Sequence, residues 1–152
     1  MQQKGYVGSR QEAFDAYLAD GARAAVEREE PGLLDSIVRI REGGGMASLA
    51  HPSRLQGGDA TFLKSFLPSL VSAGLDALEV YHSDHSLEQT ARFQSLAREF
   101  DLVETGGSDF HGENKPGVRL GSGRGQLALE RSILDNMRRR SLQSATMAEP
   151  RE

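Results

Sequence analysis

Three apolar runs of strand length each lead to a histidine, and each follows a stretch with the periodicity of an amphipathic helix. Leu33, Leu34, Ile37, Val38 and Ile40 form the first helical stripe. Gly43-Gly44-Gly45 terminates it, and Met46-Ala47-Ser48-Leu49-Ala50 reads as a buried strand ending at His51-Pro52. The second unit repeats the plan. Asp59 or Thr61 caps a helix carrying Phe62, Leu63, Phe66, Leu67, Leu70 and Val71, with a kink or break expected at Pro68. Leu75 to Tyr81 is then a strand ending at His82, with His85 three residues on. In the third unit Ser86 and Gln89 form a capping box for a helix reaching about Phe100. Strand Leu102 to Thr105 follows, and then Gly107-Ser108-Asp109-Phe110-His111-Gly112. Helix–strand alternation of this kind implies parallel strands joined by right-handed crossovers, an α/β fold.

The flanks are less regular. Ser9 and Glu12 form a capping box for a short helix bearing Ala13, Phe14, Tyr17 and Leu18, stopped by Gly21. Ala24-Ala25-Val26 is ambiguous and could be a strand fragment, Glu27 to Glu30 reads as a solvated face, and Pro31 suits the first position of a helix. A final helix is expected over about 128–139, with Arg138-Arg139-Arg140 answering its dipole, and 141–152 reads as a frayed tail.

Composition closes off several functions. No cysteine is present, so any metal must be held by nitrogen and oxygen. A net charge of -4 argues against a broad nucleic-acid surface, although a local basic site for phosphates stays open. No apolar stretch approaches the roughly 20 residues of a membrane span, and Met1 to Gly5 lacks a signal-peptide core, so a cytoplasmic protein is expected.

All four histidines fall between positions 51 and 111. In parallel α/β folds the carboxyl ends of the strands open on one edge, where ligands bind. His51, His82 and His111 would all be delivered there. Asp109 and His111, two residues apart, would point to one side of an extended strand end. Imidazole and carboxylate without sulfur suit zinc, manganese or iron. Pro52 is expected to hold His51 extended. Of the two histidines in His82-Ser83-Asp84-His85, one would bind substrate or metal and the other be solvated. His85 is preferred, because it directly precedes the helix start at Ser86, where anions are favoured. Glu79 is either an inward carboxylate needing a metal or an Arg, or a sheet-edge charge. Arg54 and Lys115 are placed to reach an anion beside the metal edge, or are surface charges.

The segments Gly44 to Pro52, Gly74 to Val80 and Gly106 to Gly112 together resemble the C-terminal part of the PHP (polymerase and histidinol phosphatase) domain, in its stand-alone metal-dependent phosphoesterase branch. Gly5 to Leu18 resembles the small helical insertion of that branch. The resemblance implies a partial (β/α)7-type barrel, with 1–30 the remnant of the insertion, 31–140 the C-terminal part of the barrel and 141–152 a tail. It implies a divalent cation, manganese first, with zinc, iron or magnesium as alternatives, held by His51, Asp109 and His111. Arg54 and His85 would face the substrate, a phosphorylated nucleotide or the 5′ end of a short RNA, and Lys115 is expected beside them from its place four residues after His111. The family's opening ligands, a His-x-His strand and those after it, have no counterpart before His51. The resemblance therefore implies a C-terminal portion, partnered by a complementary N-terminal half or by self-association. The alternative is a catalytically inactive PHP fragment acting as a binding or oligomerisation module.

Overall fold

The computed structural model describes residues 1–26 and 29–148; of the charged cluster at 27–30, Glu27 and Arg28 lie outside the described residues, as does 149–152 of the expected tail. The chain divides into two compact units, Met1–Pro31 and Gly32–Glu152.

In the first unit Ser9 caps α1 (Arg10–Ala13), its hydroxyl accepting from the Glu12 amide at 3.0 Å. Glu12 reaches back one residue further than a capping box requires, to the Gly8 amide at 2.7 Å. The helix widens into a π-type turn over Phe14–Leu18 and stops at Ala19, two residues before the expected Gly21. Ala24 to Val26 forms no strand.

The second unit carries α2 (Leu33–Glu42), β1 (Ser48–Leu49), α3 (Ala60–Ser72), β2 (Ala77–His82), α4 (Leu87–Glu99), β3 (Val103–Gly107) and α5 (Arg131–Ala148). The three strands are parallel, in the order β1-β2-β3. Caps appear where the sequence places them: Asp59 accepts from the Phe62 amide at 2.8 Å, and Ser86 and Gln89 complete a reciprocal capping box. Gly32 is the N-cap of α2, so Pro31 precedes that helix and does not open it. Helix α3 passes through Pro68 unbroken. The missing backbone bond there costs about 3 kcal/mol. Leu63, Leu67 and Leu70 on the same helix are buried almost completely, at roughly 1.5–3 kcal/mol each, which outweighs that loss. Helix α5 continues to Ala148, well past the expected end near Arg139.

The core joins those leucines to Leu78 and Val80 of β2, Phe93, Leu96 and Ala97 of α4, and Ile37 of α2. Asp76 fixes the sheet from below. Its buried carboxylate bonds the Arg41 guanidinium and the Ala47 amide. Its own amide and carbonyl pair with Ala47 and Val103, each at 2.9 Å. One residue thus ties the end of α2 to the starts of all three strands.

Candidate metal centre

The site is assembled at the carboxyl ends of the three strands, and the middle strand does it through an irregularity. Pairing between β2 and β3 runs Glu79↔Thr105 and then Tyr81↔Gly106, so β2 carries one extra residue. In a regular strand Glu79 and His82, three apart, would face opposite ways. The bulge changes the parity. Val80 packs in the core, and Tyr81 also turns toward α4, bonding Gln94 at 2.9 Å and Glu104 at 2.7 Å. His82 thereby returns to the face of Glu79. The bulge needs Gly106 opposite it, because a Cβ there would lie 2.6 Å from both Cβ and the carbonyl oxygen of Tyr81.

His51, after β1, is left-handed (φ 48°, ψ 48°), not extended as the following proline predicts. That conformation costs about 1–2 kcal/mol in an L-residue. It turns the His51 amide onto Glu79 Oε2 at 2.8 Å, a hydrogen bond to a charged acceptor worth roughly 1.5–3 kcal/mol, enough to offset the strain. Glu79 is thus an inward carboxylate partnered by backbone. Asp109, after β3, is also left-handed (φ 53°). Asp109 and His111 do converge, through that turn and not through strand alternation. The preceding Ser108 is buried and held from two sides: its carbonyl accepts from Ser83 Oγ at 2.9 Å and its hydroxyl from the Gly121 amide at 3.3 Å.

Asp109 is the hub. Its carboxylate is 10% exposed, and its two oxygens have different neighbours. His51 Nε2 and His111 Nδ1 each lie 3.5 Å from Oδ1. Lys115 Nζ bonds Oδ2, with Arg54 Nη2 at 3.5 Å and His82 Nε2 at 3.6 Å. The Lys115 ammonium holds the Asp109 carboxyl down at about 2, against the smaller opposing effect of burial. His111 is exposed. Its Nδ1 faces the Asp109 carbonyl at 2.8 Å, and a carbonyl only accepts, so Nδ1 carries the proton and Nε2 keeps a lone pair. A backbone-anchored imidazole of this kind suits a metal ligand.

Of the residues singled out in the sequence, His51, Arg54, Asp109, His111 and Lys115 stand together. His85 stands behind His82: its ring packs on His82 and on Phe93, with centroids 5.1 and 4.8 Å apart, and its Nδ1 donates to the Val80 carbonyl at 2.9 Å. Desolvation pushes the His85 imidazolium below its ordinary range. Sequence reasoning gave no role to Asp84 or Arg124. Asp84 faces Lys115 at 3.6 Å and accepts from Arg124 Nε at 2.9 Å, and that guanidinium lowers its carboxyl below the usual range. Arg124 arrives on a small hairpin closed by Arg119 and Gly123, and the run of glycines at 121, 123 and 125 was the available signal for it.

Among the described residues, two groups of three donor side chains have ligand atoms within 4.8 Å of one another: His51, Glu79 and His82, and His82, Asp84 and Asp109. Oxygen and imidazole donors around a carboxylate that stays ionised fit a hard or borderline divalent cation.

No protein-family profile matches the chain. A phosphoribosyl 1,2-cyclic phosphate 1,2-diphosphodiesterase from Eggerthella lenta is 44% identical over 79 residues, 52% of this chain and 28% of that protein. A 3′,5′-nucleoside bisphosphate phosphatase from Chromobacterium violaceum is 32% identical over 117 residues, 77% of this chain and 41% of that protein. The 5′-3′ exoribonuclease Rnm of Escherichia coli is also 32% identical, over 77% of this chain and 39% of its own length. A structure described as a metal-dependent phosphoesterase, from Bifidobacterium adolescentis, superposes with a TM-score of 0.65 at 27% identity, over 91% of this chain and 47% of the other. The chain is thus similar to PHP-type metal-dependent phosphoesterases, bearing out the resemblance drawn from its three motifs. It spans less than half the length of each of these relatives.

Proposed function

We propose that this chain takes part in metal-dependent hydrolysis of phosphate esters on nucleotides or RNA 5′ ends. The observation that carries the reading is the ring of imidazoles and cations around one ionised, nearly buried carboxylate, Asp109. Its three parallel strands are read as an arc of a (β/α)7-type barrel.

His51, Asp109 and His111 would hold the cation, manganese by preference. Such a cation makes hydroxide available near neutral pH and takes up charge on a phosphoryl group. The chain's own residues do the rest. Arg54 and Lys115 supply positive charge where a phosphate would lie beside Asp109. Arg124, held by Asp84, extends that charge outward. His85, packed behind His82 and on Phe93, would bear on a substrate only through the His82 ring.

The test is phosphate release from a 3′,5′-bisphosphonucleotide and from 5′-phosphorylated RNA with added Mn²⁺. Release that a chelator and Asp109→Asn both abolish is expected. No release from either substrate, or release indifferent to the metal, contradicts the reading.

A further inference from the structure

His82 belongs to both groups of donor side chains, and proximity alone would make it the shared metal ligand. Its hydrogen bonding argues otherwise. The Asp84 backbone amide donates to His82 Nδ1 at 3.0 Å. An amide can only donate there, so the Nδ1 lone pair is already used. The neutral ring then carries its one proton on Nε2. A ring in that state has no lone pair left for a cation. His111 shows the opposite arrangement, with Nδ1 donating to a carbonyl and Nε2 open.

The His82 side chain is 2% exposed, and Nε2 is buried without a hydrogen-bond partner. A buried donor in that condition is costly unless something accepts from it. Asp109 Oδ2, at 3.6 Å, is the carboxylate oxygen it faces. Lys115 lies on the same oxygen, whereas His51 and His111 lie on Oδ1. The two oxygens therefore have separate surroundings: the Lys115 and Arg54 cations with His82 on Oδ2, and the rings of His51, through Nε2, and His111, through Nδ1, on Oδ1.

We propose that His82 is a positioning residue whose Nε2–H is aimed at Oδ2 of Asp109, orienting the carboxylate so that Oδ1 is left for a divalent cation, and that His82 does not itself ligate that cation. The cation part rests on the function proposed above; the tautomer part does not.

The first arm uses the full chain labelled with ¹⁵N-histidine. Long-range ¹H–¹⁵N correlation at about pH 8, above the ordinary imidazole range, reads which ring nitrogen carries the proton. With four histidines, single substitutions assign the signals. The expected result is an unprotonated Nδ1 and a protonated Nε2 for His82, unchanged when Zn²⁺ is added as a diamagnetic probe. A protonated Nδ1, or an Nε2 that loses its proton and shifts with Zn²⁺, overturns the proposal. This arm decides the tautomer even if the protein binds no metal, an outcome that would sink the function proposed above instead.

The second arm measures Zn²⁺ affinity by calorimetry. His82→Asn keeps an acceptor for the Asp84 amide but loses the distal donor, and should bind about 10–100-fold more weakly. His82→Gln can place an amide N–H near the former Nε2 and should lie closer to wild type than His82→Asn does. Equal loss in both variants, matching Asp109→Asn, marks a ligand and overturns the proposal.

Discussion

Gly106 is the residue on which the site's geometry turns, and Gly106→Ala tests that directly. An added Cβ would stand 2.6 Å from Tyr81 Cβ, 2.6 Å from the Tyr81 carbonyl oxygen and 3.1 Å from Leu129 Cδ2. Carbon atoms prefer about 3.5–4.0 Å, so the overlap with Tyr81 is roughly 1 Å. Neither Tyr81 atom is the free end of a flexible chain, so the bulged strand itself must move. Overpacking of this kind costs about 1–3 kcal/mol. In a chain of this size each kcal/mol lowers Tm by about 2–4 °C, giving a fall of about 2–12 °C. Gly107→Ala is the control. The nearest atom to its added Cβ is Glu79 Oε1 at 3.9 Å, an ordinary contact. There the reduced freedom of the unfolded chain makes the change neutral or stabilising, by up to about 1 kcal/mol. Thermal and urea unfolding of the two variants would separate them. An unchanged Gly106→Ala, or equal destabilisation in both, would refute the account of the bulge.

Other outcomes follow from the same contacts. In metal-free protein, Asp109 has a folded carboxyl near 2 against 3.8 when unfolded, so its stabilisation is present above about pH 4 and is lost as pH falls toward 2. The loss is at most about 2 kcal/mol, and Lys115→Met should flatten that acid limb in urea melts with chelator present. Asp76→Ala leaves the Arg41 guanidinium and the Ala47 amide without their shared acceptor and should cost about 3 kcal/mol or more by urea unfolding. Gly123→Ala would drive a Cβ to 2.0 Å from Ser83 Oγ, and Ser83→Gly should recover part of the resulting loss in a double-mutant cycle; strict additivity would count against that contact.

The parallel strands and the helices between them were legible because apolar periodicity and caps coincide, as at Ser86 with Gln89 and at Asp59. The pairing of Asp109 with His111 was also legible, although the left-handed turn producing it was not. The bulge was hidden because Val80 is an ordinary apolar residue and the glycine that permits it sits on the neighbouring strand. His51 defied the rule for residues before proline because a carboxylate twenty-eight positions away accepts from its amide. Pro68 defied the helix-breaker rule because three leucines anchor its helix in the core. Arg124 was missed because its partner Asp84 is forty residues distant. In each case a long-range contact outweighs the local preference that sequence patterns report.

The most direct measurement is anomalous diffraction from crystals of the chain grown with Mn²⁺. An ion at coordination distance from Asp109 Oδ1, with imidazole nitrogens of His51 and His111 beside it and His82 outside its shell, is the predicted result. An ion that binds elsewhere, or that touches Asp109 while His51 and His111 stay apart from it, would contradict the account.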